Sequence, residues 1–176
     1  MSEQKKTPLA DFIEGILEGG VGQSLLDFID YCQSKKMPIR LSSGYLWSVF
    51  FKGKRVASIE ITVKGNRRGQ YTHQDNSWII HVCYLDVESL AFEEYAKTER
   101  LTEIVWANIG YCKRCLKSCV SAVEPGLDRK IAGRMFHQVG VCGDIKFKNP
   151  DSAAMDCVKK LMDLRKNHII AESVKK

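Results

Sequence analysis

Four of the seven cysteines lie close together in the second half of the chain, at a spacing typical of metal ligands. Cys112, Cys115 and Cys119 form a C-x2-C-x3-C run, and Cys142 follows after 22 intervening residues. A tight turn between two thiols separated by two residues directs both sulfurs to one side, and zinc binds four such ligands tetrahedrally at about 2.3 Å. We therefore predict a structural zinc site of these four cysteines within a Cys-rich segment, residues 111–143.

A histidine and several basic residues near the cysteines bear on the same prediction. His137, five residues before Cys142, is the reserve ligand, because an imidazole nitrogen can replace a thiolate at zinc. Positive side chains between the cysteines lower the thiol pKa values and offset the negative charge of a zinc tetrathiolate. Two alternatives stay open: reduced thiols that fill small apolar gaps, and a thiol-based redox enzyme or sensor that uses Cys142 or the Cys112–Cys115 pair.

The other three cysteines and the remaining motifs give no sign of a catalytic site. Cys32, Cys83 and Cys157 lie among apolar neighbours in predicted helices or strands, so we expect them to pack in the core. The sequence contains no G-x-S-x-G, P-loop, H-E-x-x-H or dinucleotide-binding motif. These observations favour a non-enzymatic binding or regulatory module with a structural zinc site, and they leave its ligand unidentified.

Basic residues cluster at two predicted turns of a central sheet and indicate nucleic acid as an alternative partner. They are Lys52, Lys54, Arg55, Arg67 and Arg68. Trp47, Tyr71 and Trp78 lie near them in sequence, and basic turns with neighbouring aromatic rings bind phosphates and stack bases. Charged turns also protect a sheet from pairing at its edges, which would give the same residues a purely protective role.

Bulky aromatic residues indicate a further kind of ligand. Trp47, Phe51 and Trp78 lie on predicted strands, and Trp106 lies on a helix that could cover the sheet. Together they could line an apolar pocket for a small molecule. The alternative is that these side chains only fill the core, because large aromatic residues bury much apolar surface in any fold.

The composition is that of a chain that folds as one domain. With 176 residues, of which 44% are hydrophobic and 27% charged, the chain can form a single core spanning residues 1–176. The net charge of +6 permits an acidic partner. No apolar run reaches the roughly 18 residues of a membrane helix, and the polar first residues lack a secretory signal. We therefore expect a cytoplasmic protein with reduced cysteines and no membrane association.

Hydrophobic periodicity predicts an α+β fold with N-terminal helices, an antiparallel β-meander of three to five strands, and C-terminal helices on one face. The first helix is expected to start at Thr7-Pro8 and to end at Gly19-Gly20, and the second spans about residues 23–35. The strands are expected at residues 45–51, 55–63 and 78–85, with 39–41 as an edge and 144–148 as a late short strand.

Turn and cap residues place the connections between these elements. Lys52-Gly53-Lys54 predicts a hairpin between the first two main strands. Asp86 is the predicted cap of a helix over residues 87–97, and residues 101–109 form a further helical piece. Asn149-Pro150-Asp151 opens the last helix, because a capping side chain followed by proline favours a helix start.

The last third of the chain resembles a known group of proteins. The shared features are the paired cysteines after Tyr111, the later Cys142, and Asn149-Pro150-Asp151 opening a helix that ends near Arg165-Lys166. In these features the chain resembles a family of small, uncharacterised bacterial proteins. The resemblance implies a bacterial origin and a Cys-rich metal-binding segment, and it implies no activity.

Overall fold

The computed structural model describes residues 8–13, 16–17, 19–65, 67–68, 71–72, 74–110, 127–139 and 145–174. The helices in these ranges are α1 (Pro8–Ile13), α2 (Gly19–Ser34), α3 (Leu90–Thr98), α4 (Thr102–Ala107) and α5 (Ser152–Val174). The strands are β1 (Ile39–Ser43), β2 (Leu46–Phe51), β3 (Lys54–Thr62), β4 (Arg67–Arg68), β5 (Tyr71–Thr72), β6 (Ser77–Val82), β7 (Leu127–Ile131), β8 (Arg134–Val139) and β9 (Lys146–Lys148). Within this described part, no helix is long and apolar enough to cross a membrane.

Five of the strands form one antiparallel sheet in the order β1-β2-β3-β6-β9. The first four follow one another along the sheet as they do along the main run of the chain, so the predicted meander is confirmed. β9 comes from the last third of the sequence and pairs with β6. The strand pairs β4–β5 and β7–β8 lie outside this sheet. Helices before and after the strands complete the predicted α+β fold.

One face of the sheet is apolar and packs against the helices. Directly opposite positions of β2, β3, β6 and β9 carry buried hydrophobic residues, and side chains at such positions share one face. These residues are Trp47, Ile59, Ile80 and Phe147. On the same face, the ring of Phe28 in α2 lies 6.0 Å from that of Trp78, and α5 contacts both β3 and β6. The helices therefore cover the face that the alternating pattern of the strands predicts to be the core side.

The opposite face of the sheet carries polar side chains. Ser58 of β3 is paired with Ser48 of β2 on one side and with His81 of β6 on the other. Both serines are buried, and Nε2 of His81 lies 3.9 Å from Oε2 of Glu60 on the neighbouring strand. Apolar burial in the sheet is therefore concentrated on the side of α2 and α5.

The β7–β8 hairpin was not anticipated from the sequence. Its two-residue turn has Ala132 and Gly133 at φ 45° and 86°, the left-handed conformation that a tight hairpin turn requires. The hairpin packs beside α4, where the indole nitrogen of Trp106 donates to the carbonyl of Ile131 at 3.0 Å. The backbone nitrogen of Ala132 also donates to the carbonyl of Val87 at 3.3 Å.

The starts of three helices differ from the prediction. Gly19-Gly20 begin α2 and do not end the first helix, which stops at Ile13. α3 is capped by Ser89, whose hydroxyl accepts from the backbone nitrogen of Phe92 at 3.1 Å, and not by Asp86. α5 is capped by Asp151, whose carboxylate accepts from Ala154 at 2.8 Å. For α3 and α5, two residues with capping side chains lie within three positions of each other, and the one next to the first helical residue forms the cap.

Asn149 pairs with the sheet and does not cap α5. Its backbone lies in the left-handed region at φ 43°. Its backbone nitrogen donates to the carbonyl of Trp78, and its side-chain oxygen accepts from the backbone nitrogen of Trp78, both at 2.9 Å. The asparagine side chain thus replaces a backbone carbonyl and extends the β6–β9 pairing by one residue.

Candidate functional site: a cation–aromatic surface

The β2–β3 hairpin presents the basic residues that the sequence analysis singled out. Lys52 and Gly53 form its two-residue turn at φ 47° and 78°, so the hairpin predicted at this position is confirmed. The turn leaves Lys52 and Lys54 exposed and Arg55 half-buried. Phe51 is paired directly with Lys54 across the turn. Three cations and one aromatic ring therefore lie at this end of the sheet.

Residues of α5 join the hairpin at the ring of Phe51. The ammonium nitrogen of Lys52 lies 5.9 Å from the ring centre, and that of Lys166 in α5 lies 5.4 Å from it. Lys166 is only 16% exposed, and Nζ lies 2.7 Å from the carboxylate of Asp163. A cation this close to an aromatic ring is attracted to its negative face, more strongly when both are shielded from water.

The ring of Tyr84, two residues after β6, is contacted in the same way. The guanidinium carbons of Arg55 and Arg165 lie 5.3 Å and 5.6 Å from its centre. Nη2 of Arg55 also donates to the tyrosine hydroxyl at 2.7 Å. Each of the two rings therefore holds one cation from the β2–β3 hairpin and one from α5.

Tyr84 is unusual for both its backbone and its exposure. Its φ of 59° lies in the left-handed region, which costs a residue other than glycine roughly 1–2 kcal/mol. Although two guanidinium groups lie over its ring, 62% of the residue surface is exposed. Part of the ring surface is thus open to solvent while the backbone is held in a strained conformation, and such strain clusters at functional sites.

A single carboxylate bridges the hairpin and the helix. Glu172 of α5 is ion-paired with Lys54, and its other oxygen lies 3.4 Å from Nη1 of Arg165. The hydrogen bond from Lys54 holds the pKa of Glu172 below its ordinary value, and the charges of Lys54 and Arg165 act in the same direction. Arg165 is 12% exposed, and among the residues described its Nε has no hydrogen-bond partner.

We call this region the cation–aromatic surface. Its members are Lys52, Lys54, Arg55, Arg165 and Lys166, the rings of Phe51 and Tyr84, and the carboxylates of Asp163 and Glu172. Five cations against two carboxylates give these side chains a net charge of +3. Arginine forks bind phosphate bidentately, and exposed aromatic rings stack on nucleobases.

Three of the five cations of this surface were predicted from the sequence. Lys52, Lys54 and Arg55 belong to it, as the charged turn suggested. For Arg165 and Lys166 the sequence predicts only that they lie near the end of a helix. Spacing along a helix does not indicate which turn of the sheet that helix approaches. The clue in the sequence was the pair of adjacent cations on a helix that must cross the sheet.

The second predicted group of basic residues lies elsewhere. Arg67 and Arg68 form β4, which follows the far end of β3 and pairs with β5. The turn at Lys52 adjoins the other end of β3. The two basic turns therefore flank opposite ends of one strand and are not brought together by the β2–β3 hairpin.

The predicted zinc ligands Cys112, Cys115, Cys119 and Cys142 lie outside the described residues, so the zinc site stays a prediction. The reserve ligand His137 lies on β8 and is 73% exposed, with Nδ1 3.0 Å from the carboxylate of Asp128. In the part of the chain that the structure describes, no three His, Cys, Asp or Glu side chains are placed to hold a metal ion.

The remaining three cysteines divide into two kinds. Cys32 and Cys157 are fully buried, as predicted, and burial raises the pKa of each thiol to about 12. Cys83 is only half-buried just beyond β6, with Sγ 3.5 Å from the hydroxyl of Ser58. The prediction of core packing was therefore wrong for Cys83, because the residue lies on the polar face of the sheet.

The tryptophans predicted to line a pocket are used in packing. Trp47 and Trp78 are buried in the core, and half-buried Trp106 binds the β7–β8 hairpin through its indole nitrogen. A cleft of about 560 Å³ opens between the first turns of α2 and α5. Its lining within the described residues contains no aromatic side chain and includes the carboxylates of Asp27 and Asp156.

Comparison with known proteins finds no family model, no curated protein and no solved structure that matches the chain. The resemblance of the last third to a family of small bacterial proteins therefore stays a prediction.

Proposed function

We propose that this protein is a non-enzymatic binding module that recognises single-stranded nucleic acid through the cation–aromatic surface. The observation that carries the proposal is Tyr84, a residue that is 62% exposed and whose ring lies under the guanidinium groups of Arg55 and Arg165. Proteins that bind single strands combine cations for the phosphates with exposed rings for the bases. Both parts are present within one group of side chains here.

The charge of the whole chain supports an anionic ligand. The net charge is +6, with an isoelectric point near 8.9. A basic surface attracts a polyanion over distances of about a Debye length, roughly 8 Å at physiological salt. The net charge of +3 on the side chains of the cation–aromatic surface concentrates this attraction at the end of the β2–β3 hairpin.

A second group of a cation and aromatic rings differs from the cation–aromatic surface, because its rings are used in packing. Arg134 of β8 lies 5.3 Å from the ring centre of Trp106 and 5.4 Å from that of Phe136. Phe136 is buried, and Trp106 is half-buried with its nitrogen bound to Ile131. Those two rings pack against the β7–β8 hairpin, whereas most of the surface of Tyr84 is exposed.

The salt dependence of binding tests the proposal. The probe is a fluorescein-labelled oligouridine of about 12 nucleotides, and its dissociation constant is measured by fluorescence anisotropy between about 50 and 200 mM salt. The double variant Lys52→Gln/Arg55→Gln removes two cations of the surface. Because each phosphate contact on a single strand contributes about 0.7 to the slope of log K against log salt, we expect the slope to fall by about 1.4.

The β7–β8 hairpin provides the matched control. The double variant Lys130→Gln/Arg134→Gln also removes two cations beside a tight turn and leaves the net charge equal to that of the first variant. We expect it to bind the oligouridine within about twofold of the unchanged protein, with an unchanged salt slope. Equal losses in the two double variants would show attraction to net charge alone and would overturn the proposed site.

We also propose that residues 111–143 hold a structural zinc ion through Cys112, Cys115, Cys119 and Cys142. The support is the C-x2-C-x3-C spacing and the later cysteine, since thiolates at such spacings converge on one tetrahedral ion. In this proposal the metal stabilises its own segment and takes no part in nucleic-acid binding. The metal content of the untagged protein and of Cys115→Ser tests it.

A further inference from the structure

We infer that Lys54 and Arg165 form a phosphate-binding site that the carboxylate of Glu172 occupies in the free protein. The identity of the ligand as a polynucleotide phosphate rests on the proposed function, whereas the existence of the anion site rests on the geometry alone. Glu172 would then act as a built-in competitor that a phosphate must displace.

The geometry of the site follows from two elements that meet at one anion. Lys54 is the first residue of β3, and Arg165 projects from α5. Lys54 is ion-paired with one oxygen of Glu172, and Nη1 of Arg165 lies 3.4 Å from the other. Two cations from separate elements therefore converge on one carboxylate, which is the arrangement of charge-assisted hydrogen bonds that binds phosphate.

Arg165 is already positioned for such a ligand. Its side chain is 12% exposed and lies over the Tyr84 ring, with the guanidinium carbon 5.6 Å from the ring centre. Among the described residues, its Nε has no hydrogen-bond partner. Because the guanidinium is held by packing, little rotamer freedom remains to be lost when an anion binds. A phosphate offers more acceptor oxygens than a carboxylate to the two cations.

Glu172 is the most exposed of the three side chains. It is 49% exposed and lies two residues before α5 ends at Val174, which is itself 81% exposed. Side chains in the last turn of a helix gain little from the helix itself, and an exposed ion pair contributes only a small free energy. Rotation of Glu172 into solvent therefore costs little compared with the contacts that a phosphate makes.

The proposed phosphate site lies next to the ring on which we propose that a base stacks. Arg165 contacts both the carboxylate of Glu172 and the ring of Tyr84. A phosphate in the place of the carboxylate would lie next to the exposed part of that ring. The nucleotide that carries the phosphate could then stack its base on Tyr84, so Glu172 would set how readily the surface accepts a strand.

Inorganic tripolyphosphate is the probe that tests the anion site without nucleobases. Its affinity is measured by isothermal titration calorimetry for the unchanged protein and for Glu172→Gln, which keeps the shape of the side chain and removes its charge. We expect Glu172→Gln to bind about fivefold more tightly, the change that corresponds to removing an exposed competing ion pair. Glu172→Ala should show the same direction of change.

The matched control is Asp156→Asn on the same helix. It changes the net charge by the same amount at an exposed position 16 residues earlier, about 24 Å along the helix axis and several Debye lengths away. We expect its affinity for tripolyphosphate to stay within about twofold of the unchanged protein. Adding Lys54→Gln to Glu172→Gln should abolish the gain, because one of the two cations of the site is then absent.

The inference would be overturned by a gain in Asp156→Asn equal to that in Glu172→Gln, or by a gain that persists in the Lys54→Gln/Glu172→Gln double variant. Absence of tripolyphosphate binding in Glu172→Gln would overturn it as well. The oligouridine titration is a separate measurement. Oligouridine binding that fails while Glu172→Gln gains affinity for tripolyphosphate would reject the proposed function and leave the anion site standing.

Discussion

The guanidinium carbon of Arg165 lies 5.6 Å from the centre of the Tyr84 ring. Arg165 belongs to the C-terminal helix, and Tyr84 follows strand β6, so this contact holds α5 against the sheet at the end where the β2–β3 hairpin turns. Because the tyrosine keeps 62% of its surface exposed, the contact also leaves an aromatic surface available beside a fixed positive charge. Packing and binding can therefore be separated by substitution at this one ring.

Replacing Tyr84 by leucine should weaken binding of the oligouridine much more than it weakens the fold. Loss of a stacking ring costs about 1–3 kcal/mol per base, so we expect the dissociation constant to rise by about fivefold to 150-fold. The free energy of unfolding, measured in urea, should fall by about 1 kcal/mol through the lost cation–π contacts. Anisotropy and urea denaturation on the same preparation give both values.

Two further variants serve as controls for Tyr84→Leu. Tyr84→Phe removes the hydroxyl that Arg55 binds at 2.7 Å but keeps the ring, so we expect affinity within about threefold of the unchanged protein. Tyr45→Leu alters another exposed tyrosine, 42% exposed, whose ring contacts Phe12. Oligouridine binding by Tyr84→Leu that equals that of Tyr45→Leu would contradict a stacking role.

The buried thiols of Cys32 and Cys157 should be unreactive in the folded protein. Their pKa values are raised to about 12 by burial, and the thiolate is the reactive form. We expect neither cysteine to be alkylated by iodoacetamide at about pH 8 in native buffer, and both to be alkylated in urea, as read by peptide mass spectrometry. Rapid native labelling of either residue would contradict the burial.

The same two thiols should make the fold sensitive to alkaline pH. Their folded-state pKa of about 12 lies above the ordinary value of 9.0, so the unfolded chain loses these protons first as the pH rises. Their contribution to stability is then complete below pH 9.0 and is lost between that value and about pH 12. Urea denaturation of Cys32→Ala should show a shallower decline over this window than the unchanged protein.

Replacing Cys115 by serine should release zinc from the protein. We expect inductively coupled plasma mass spectrometry to find zinc in the untagged protein in a stoichiometric amount and to find almost none in Cys115→Ser, because a thiolate ligand is lost. Far-ultraviolet circular dichroism should change little, since the sheet and its helices lie largely outside residues 111–143. Cys83→Ser is the matched control and should keep its zinc; a zinc-free starting protein would refute the site.

Replacing Lys36 by glycine should stabilise the protein. Lys36 lies at φ 54° just after α2, where its backbone nitrogen donates to Gln33 and that of Met37 donates to Cys32, both at 2.9 Å. These bonds form a Schellman motif, in which glycine avoids the cost of the left-handed conformation. We expect the free energy of unfolding in urea to rise by about 0.5–1 kcal/mol, after allowing for the greater freedom of glycine in the unfolded chain.

The neighbouring residue provides the control for Lys36→Gly. Lys35 is equally exposed and precedes the left-handed position. Lys35→Gly gains nothing from its conformation and should lower the free energy of unfolding by about 0.5–1 kcal/mol. Equal effects of the two substitutions would mean that the conformation of Lys36 carries no strain.

Local sequence determined the elements of this fold. The alternation through Ala57, Ile59 and Ile61 predicts which side of β3 faces the core, because successive side chains of a strand point to opposite faces. Lys52-Gly53 predicts the hairpin turn, since this turn needs left-handed residues. The burial of Cys32 and Cys157 also follows from their apolar neighbours at helical spacing.

Tertiary structure decided which elements meet. The sequence of β7 and β8 does not predict a hairpin, because the charged residues Arg129, Lys130 and Arg134 interrupt the apolar alternation of its strands. The local sequence predicts Asn149 as a helix cap. In the structure Asn149 instead forms strand-like hydrogen bonds with Trp78, and Asp151 caps α5. There a distant contact outweighs a local preference of about 1 kcal/mol.

The candidate site shows the same division most clearly. The charges of Lys52, Lys54 and Arg55 are evident in the sequence, whereas their association with Arg165 and Glu172 depends on how α5 crosses the sheet. Periodicity determines which side of a helix is buried, because it reflects contacts within one turn or one pleat. Periodicity does not indicate which end of the sheet a helix approaches, because that is decided by the packing of the complete core.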